Sequence, residues 1–318
     1  LQNKKIKKTY KIFEKNLGKY NFNKICIAIS GGVDSMALLF LLKCFTINKK
    51  IKIYCCVVDH KLRKESSTEA KKIKSFLRKF DIYCKILSNK KKKIKSNIQS
   101  EARDLRYDLI YNFCHRNNLK YILTGHNKND LYENFFIRLL RGSGLRGLSS
   151  FYSLSSKPNL KKDITVLRPL ISIGKNDLSF ITKKTFGLHF EDPSNTDEKF
   201  LRVKIRKMLK QLIDEGMDLT KFKKTLQNLN YSNKTIDYFI SLNIKSNVVY
   251  RSSKKMFFLK HSFFDNPNEV ISHSFNRLFL ELNNKNNFTR SKKIDLLINN
   301  LKTSTHDQKF TLSGCIIE

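Results

Sequence analysis

The sequence predicts an α/β fold, a doubly wound parallel sheet with helices on both faces, followed by a smaller, mostly helical C-terminal domain. Three observations predict it. Short apolar, β-rich runs alternate with stretches of helical periodicity from Ile25 to Arg141, the pattern of repeated β-α units. The first run, Ile25 to Ile29, leads through the small residues Ser30-Gly31-Gly32-Val33-Asp34-Ser35 into an apolar helix from Met36. From about Asp218 the alternation gives way to long helices. These shifts divide the chain into a larger α/β domain, residues 1–215, and a small domain, residues 216–318.

The elements follow in order. Ile6, Tyr10, Phe13 and Leu17 fall at helical spacing and predict an N-terminal surface helix. Ile25 to Ile29 is a buried strand. Ile51 to Val58 is a second strand, ending in Asp59-His60. Ser66-Ser67-Thr68-Glu69 has the form of a capping box and opens a helix to about Phe80. Ile82 to Leu87 is a third strand, and Asn89 to Ser96 a lysine run in a loop. Asn97 to Asn117 is a helix carrying Arg103, Arg106 and Tyr107. Tyr121 to Thr124 is a fourth strand, followed by Gly125-His126 and a helix over Asn129 to Arg141. Ile164 to Leu167 is a short strand, Lys175 to Gly187 a helix, Asp192 to Asn195 a turn, and Glu198 to Glu215 a basic helix with Arg202 and Arg206 on one face. The helices Leu219 to Leu242, Asn268 to Leu282 and Ser291 to Leu301 then surround strand-like pieces at Val248 to Tyr250 and Met256 to Leu259.

Composition narrows the function. With 63 Lys and Arg against 27 Asp and Glu, the formal net charge of +36 points to a polyanionic partner, of which nucleic acid is the commonest. Lys, Asn, Ile and Phe are all abundant, as an AT-rich genome produces, so the sign of the charge carries more weight than its size. No apolar run approaches the roughly 20 residues of a membrane span, and the Lys-rich start has no apolar signal core. The seven cysteines include no Cys-x-x-Cys pair and read as small buried hydrophobes in a reducing cytoplasm.

Strand, glycine turn and helix together make a phosphate cradle, in which glycines let the backbone approach an anion and the helix N-terminus supplies N–H groups. No Gly-Lys-Ser/Thr follows, so it is not a Walker A loop. Asp34 beside phosphates implies an intervening Mg2+. Ser30, Asp59, His60, Gly125 and His126 all end predicted strands, which puts them on the carboxyl rim where such sheets bind ligands. Asp130 and Glu133, three apart on one helix, form a paired carboxylate face suited to a metal or an ammonium group. Gly142-Ser143-Gly144-Leu145-Arg146-Gly147 matches GxGxxG but follows a helix, so it reads as a basic loop after Arg141 rather than a dinucleotide site. Arg103 with Arg106, and Arg202 with Arg206, are pairs placed for phosphate or RNA.

SGGVDS resembles the pyrophosphate loop of the PP-loop ATP pyrophosphatases. In order, SGGVDS, VDHKLRKES, NIQSEARDLRY, TGHNKNDLYEN, RLLRGSGLRGL, LRPL and EDPSNTDEKFLR resemble the tRNA(Ile)-lysidine synthase family, in a short form, over about the first two-thirds of the chain. The resemblance implies a Rossmann-like catalytic domain that uses ATP and Mg2+ to adenylate the carbonyl oxygen at carbon 2 of the wobble cytidine in a CAU anticodon. L-lysine then displaces AMP, and the tRNA changes from methionine to isoleucine identity. The resemblance implies that Ser30, Gly31, Gly32, Val33, Asp34, Ser35, Asp59, His60, Gly125 and His126 bind ATP, with Asp34 on Mg2+. Arg106 and His126 would steady the adenylate, Asp130 and Glu133 would receive lysine, and Arg103, Arg141, Arg146, Arg202 and Arg206 would meet tRNA or phosphate. The partners implied are that tRNA and L-lysine, with an oligomer open and no membrane. Four positions depart from the pattern: Lys61 for Gly, Asn127 for His, Asn129 for Asp and Val203 for Asn. A tRNA thiolase on the same fold and a non-catalytic RNA-binding protein are the rival readings; the first calls for catalytic cysteines, and the intact loop, His126, Asp130 and Glu133 speak against the second.

Overall fold

The structure, a computed structural model, describes residues 2–61, 65–88, 98–152, 154–159, 164–190, 197–283, 289, 291–303 and 308–318. The lysine run at 89–96, the turn at 192–195 and residues 62–64 lie outside the described residues. Two compact units emerge, one of Leu1–Pro158 with Lys162–Leu226, the other chiefly Gln227–Glu318.

The first unit runs α1 (Lys4–Leu17), β1 (Lys24–Ile29), α2 (Val33–Thr46), β2 (Lys52–Asp59), α3 (Ser66–Arg78), β3 (Cys84–Ser88), α4 (Ile98–Arg116), β4 (Tyr121–Leu123), α5 (Lys128–Leu140), α6 (Leu145–Ser149), β5 (Ser155–Asn159), β6 (Ile164–Leu167), α7 (Lys175–Phe186) and α8 (Leu201–Asp214). Its sheet has the order β3-β2-β1-β4-β6-β5. The neighbours from β3 to β6 are parallel, so the α/β class expected from the sequence is the one observed. Strand order reverses between β1 and β4. That switch point opens a crevice at the strands' carboxyl ends.

β1 is apolar throughout because both of its faces are covered. Ile25, Ile27 and Ile29 join a core with Phe13 and Leu17 of α1, Leu38 and Leu42 of α2, Ile73 and Leu77 of α3, and Leu178 and Ile181 of α7. Cys26 points to the other face, with Cys56, Ile110, Tyr111, Cys114, Ile122 and Val166. The even and odd residues of one strand thus anchor two layers. Helix α2 is buried nearly all round, which is why its sequence shows little polar periodicity.

Three local readings change. Helix α3 is capped at Glu65, and no capping box forms at Ser66. The Ser66 and Ser67 hydroxyls turn instead to the Asp59 carboxylate. The basic GxGxxG segment contains the short helix α6, and β5 adds a strand that its Ser/Lys/Pro composition does not announce.

In the second unit, the part of α9 (Leu219–Asn247) from Gln227 precedes the antiparallel hairpin β7 (Val248–Arg251) and β8 (Met256–Leu259); α10 (Asn268–Asn283), α11 (Ser291–Thr303) and the hairpin β9 (Phe310–Leu312) and β10 (Cys315–Ile317) follow. Phe263, Ile271, Phe275, Leu278, Ile294 and Leu297 form its core. Buried Asn243 donates to Ser274 Oγ and Phe263 O, and its Oδ1 accepts from Asn247 and Asn266. No described helix is long and apolar enough to cross a membrane.

Gly31 has φ +81, and a Cβ there would stand 2.7 Å from Ile73 Cδ1. Gly31→Ala therefore combines left-handed strain with a clash. It is expected to lower unfolding free energy by about 1–3 kcal/mol, read from urea denaturation against wild type.

Candidate active site

The turn after β1 is held from behind. Gly31 O accepts from Phe190 N at 3.0 Å, Val33 O from Thr182 Oγ1 at 2.8 Å and Gly32 O from Ser35 Oγ at 2.9 Å. Its carbonyls are thereby committed to the protein. Gly32 is the N-cap of α2 and supplies no capping side chain. The first N–H groups of a helix have no intrahelical acceptor, so Val33, Asp34 and Ser35 offer donors and the positive end of a helix dipole to an anion.

The turn after β4 abuts this cradle. A Cβ on Gly125 would lie 3.0 Å from Ser35 N and 3.1 Å from the Asp34 carbonyl carbon. Only a residue without a side chain lets the two backbones meet there. Asn127 follows. It caps α5, accepting from Asn129 N at 2.7 Å and Asp130 N at 3.3 Å, while Asp130 Oδ2 accepts from Asn127 N at 2.9 Å. Asn127 also lies near enough to Asp34 to lower its carboxyl. Standing where the family pattern has His, it caps the helix beside the phosphate loop.

Asp34 is pushed up to about 6, chiefly by burial and then by the charge of Asp130; Asn127, Lys175 and Arg206 oppose this. Its Oδ1 is buried and has no hydrogen-bond partner among the described residues. An orphaned carboxylate oxygen beside a phosphate cradle fits a hard cation shared with phosphate oxygens. Among the described residues no group of three or more His, Cys, Asp or Glu is disposed to hold a metal, so a cation here would draw its remaining ligands from phosphate and water.

Asp130 and Glu133 do share one face of α5, as their spacing predicts, and α8 covers it. Arg202 bonds Asp130 Oδ1 through Nη2 and Glu133 Oε2 through Nε at 2.6 Å; Arg206 Nε bonds Glu133 Oε1 at 2.7 Å. The two acids hold the Arg202 guanidinium above its ordinary range even though burial opposes that. Thus the arginine pair meets the acid pair, a juxtaposition the separate sequence readings did not contain. Val203, between these arginines, is buried and apolar.

His126 is held by Thr124. The Thr124 hydroxyl donates to Leu167 O at 3.3 Å and lies 2.9 Å from His126 Nδ1. In a neutral imidazole one ring nitrogen donates and the other accepts, and the Thr124 hydroxyl can meet Nδ1 in either role. Burial first, then the charges of Arg168, Arg103, Arg202 and Arg106, hold His126 well below the usual histidine range. It is neutral at physiological pH. Phe151 packs edge-on against it at 5.0 Å, and Arg168 lies over the same Phe151 ring at 4.5 Å.

Asp59 is engaged internally. Burial raises its carboxyl, but Ser67 Oγ at 2.6 Å, Lys61 N at 3.0 Å and Ser66 Oγ at 2.9 Å outweigh burial and bring it below the ordinary range. Lys61 has φ +52, the conformation that favours the Gly of the family pattern. The bond from its N–H to Asp59 holds that turn. His60 Nε2 accepts from Arg106 Nε at 3.1 Å, which joins the β2 rim to α4. Arg103 lies over the Tyr107 ring at 5.2 Å. Arg141 ends α5, about 16 Å along the helix from Asp130 by its rise per residue, and Arg146 lies in α6. Sequence reading missed Thr124, Phe151 and Arg168; the strand-end rule that selected Gly125 and His126 selects Arg168 as well, since it follows β6.

Fold and cradle define a nucleotide-binding protein of the PP-loop class. A family model described as a PP-loop domain matches residues 2–213. The tRNA(Ile)-lysidine synthase of Orientia tsutsugamushi is 38% identical over 190 residues, 60% of this chain and 42% of that protein. The tRNA(Ile)-lysidine synthase of Rickettsia felis is 32% identical over 97% of this chain and 71% of its own length. The chain belongs to the tRNA(Ile)-lysidine synthase family, and it spans from about two fifths to 71% of the length of these relatives. Among solved structures, the U34-tRNA thiolase of Methanococcus maripaludis superposes with TM-score 0.59 at 16% identity, covering 73% of this chain and 78% of that one; this likeness is one of fold.

A carboxyl raised on folding contributes stability below the unfolded carboxylate range and loses it as pH rises through its folded value. In the absence of nucleotide and divalent cations, Asp34 is thus expected to weaken the fold between about pH 4 and about pH 7, by an amount of order 2 kcal/mol. Asp34→Asn removes that loss, and paired urea titrations across the range measure it.

Proposed function

We propose that this chain ligates L-lysine to carbon 2 of the wobble cytidine of a CAU-anticodon tRNA(Ile), with ATP cleaved to AMP and pyrophosphate. The observation that carries the proposal is the meeting, in one crevice, of a phosphate cradle, an orphaned carboxylate, a neutral histidine and a paired acid face. The family of its relatives supports the same reading.

The roles follow from the chemistry. Ser30, Gly31, Gly32, Val33 and Ser35 receive the phosphates, and Gly125 allows the close approach. Asp34 and the phosphates hold a Mg2+ ion, which supplies charge neutralisation at the scissile α–β bond. Oxygen O2 of the cytidine bonds to the α-phosphorus and pyrophosphate leaves. The lysine amine then bonds to carbon 2, and AMP leaves with that oxygen. Arg103, Arg106 and Arg168, which crowd His126, balance the phosphate charge of the adenylate. An attacking amine must lose a proton, and the neutral imidazole of His126 would accept it. Asp130 and Glu133 select a cationic side chain. Arg141, Arg146 and the basic surface bind RNA. His60 and Asp59 shape the rim. The chain works in the cytoplasm, where its substrates are.

Incubation with ATP, labelled lysine and total tRNA tests the proposal. Label is expected in the CAU isoleucine tRNA alone, and label in no tRNA overturns it. Asp34→Asn is expected to slow lysine transfer by about a hundredfold or more.

Affinity for tRNA is expected to fall at least about tenfold between about 50 mM and about 200 mM salt, as phosphate contacts release counterions. A flat response in a filter-binding titration removes the argument from charge.

A further inference from the structure

The acid face that would receive lysine already holds two cations. All four carboxylate oxygens have donors: Asp130 takes Arg202 and the Asn127 N–H, and Glu133 takes Arg202 and Arg206. The layering has a direction. The Asp130 and Glu133 side chains are 14% and 5% exposed, those of Arg202 and Arg206 39% and 36%. The acids are the more buried partners and the guanidinium groups the more exposed, so a solute amine must compete with them for the carboxylate oxygens. Two negative charges are balanced by two positive ones. A third cation entering with both arginines in place leaves an excess positive charge in a largely buried cluster, which is unfavourable.

Something must draw the guanidinium groups away, and the cluster's neighbour supplies it. Asp34 of the phosphate loop feels both Asp130 and Arg206, and Arg202 feels Asp34. Phosphates held by the loop would bring several negative charges to that neighbourhood. Arginine exchanges carboxylate for phosphate without losing its paired donor geometry.

We propose that Arg202, assisted by Arg206, is an internal stand-in for the substrate ammonium: it fills the acid pair until nucleotide phosphates draw it off, so that lysine binds tightly only to the nucleotide-loaded protein. This rests on the reading of Asp130 and Glu133 as the lysine site. The arrangement would order the reaction, keeping the amine out until the group it attacks can be activated. Coupling is reciprocal, so lysine tightens nucleotide binding by the same factor.

Equilibrium dialysis of the 318-residue chain with labelled lysine tests it. The arms are no nucleotide, Mg2+ with an ATP analogue carrying a methylene between the α and β phosphorus atoms, and the same with tRNA. Wild type is expected to bind lysine about tenfold or more tightly with the analogue. Arg202→Gln is expected to bind lysine without the analogue nearly as well as loaded wild type, with coupling below about threefold, and Arg202→Lys to restore coupling. Equal lysine affinity of wild type with and without the analogue overturns the inference and needs no variant. Coupling that survives intact in Arg202→Gln overturns it too. Lysine that binds in no arm overturns the lysine reading itself, and the inference with it.

Discussion

Two backbones meet at Gly125, and the rest of the site depends on that contact. β1 and β4 are parallel neighbours at the point where strand order reverses, so the chain leaves each strand at the same rim and turns to opposite sides. A side chain at Gly125 would strike Asp34 and Ser35. Without one, the start of α5 lies against the start of α2. Asn127 can then cap one helix beside the other's aspartate, and Asp130 comes near enough to raise the Asp34 carboxyl. Moving the turn outward by the radius of a methyl group separates three functions at once: the phosphate cradle, the cation site and the acid face.

The second organising feature is charge. Asp34, Asp130 and Glu133 are acidic; Arg202, Arg206, Arg168, Arg103 and Arg106 surround them or their neighbour His126. Cations outnumber anions, as a site awaiting phosphates requires. Burial first, and then the same excess, explains why His126 is neutral. A histidine near lone carboxylates gains a proton, whereas one among arginines gives it up. The environment therefore sets this residue to accept a proton rather than to hold one.

Much of this was legible in the sequence because it is local. Strand, glycine turn and helix at Ile25–Leu42 announce themselves through periodicity and small residues, and the Asp130–Glu133 spacing through helix geometry. What stayed hidden is partnership across long separations. Nothing near Glu133 shows that Arg202, 69 residues on, will cover it. Nothing near Gly31 shows that Phe190 will hold its carbonyl. The capping box at Ser66 had the right letters, but a buried Asp59 seven residues upstream competes for the same hydroxyls. There the charged acceptor wins over the neutral cap, since a desolvated carboxylate without donors costs more than an uncapped helix turn.

The departures from the family pattern are the sharpest evidence on how tightly geometry constrains chemistry here. Asn127 and Lys61 stand at turns, and each fulfils the backbone requirement of its position. Asn127 has a side-chain oxygen to cap α5, a duty that needs a short polar group at a helix start rather than an imidazole as such. Lys61 adopts φ +52 and places its N–H on Asp59. Left-handed backbone costs a residue with a Cβ about 1–2 kcal/mol relative to glycine, and a charge-assisted hydrogen bond to a buried carboxylate offsets about that much. Val203, by contrast, faces apolar packing and leaves the arginines on either side of it to hold the acid pair. In each case the replaced side chain lies beside the group that touches the acids or the phosphate loop, while Asp34, His126, Asp130, Glu133, Arg202 and Arg206 keep their types. Asn127 and Lys61 thus stand where a residue positions a turn, and the charged groups of the crevice are all present around them.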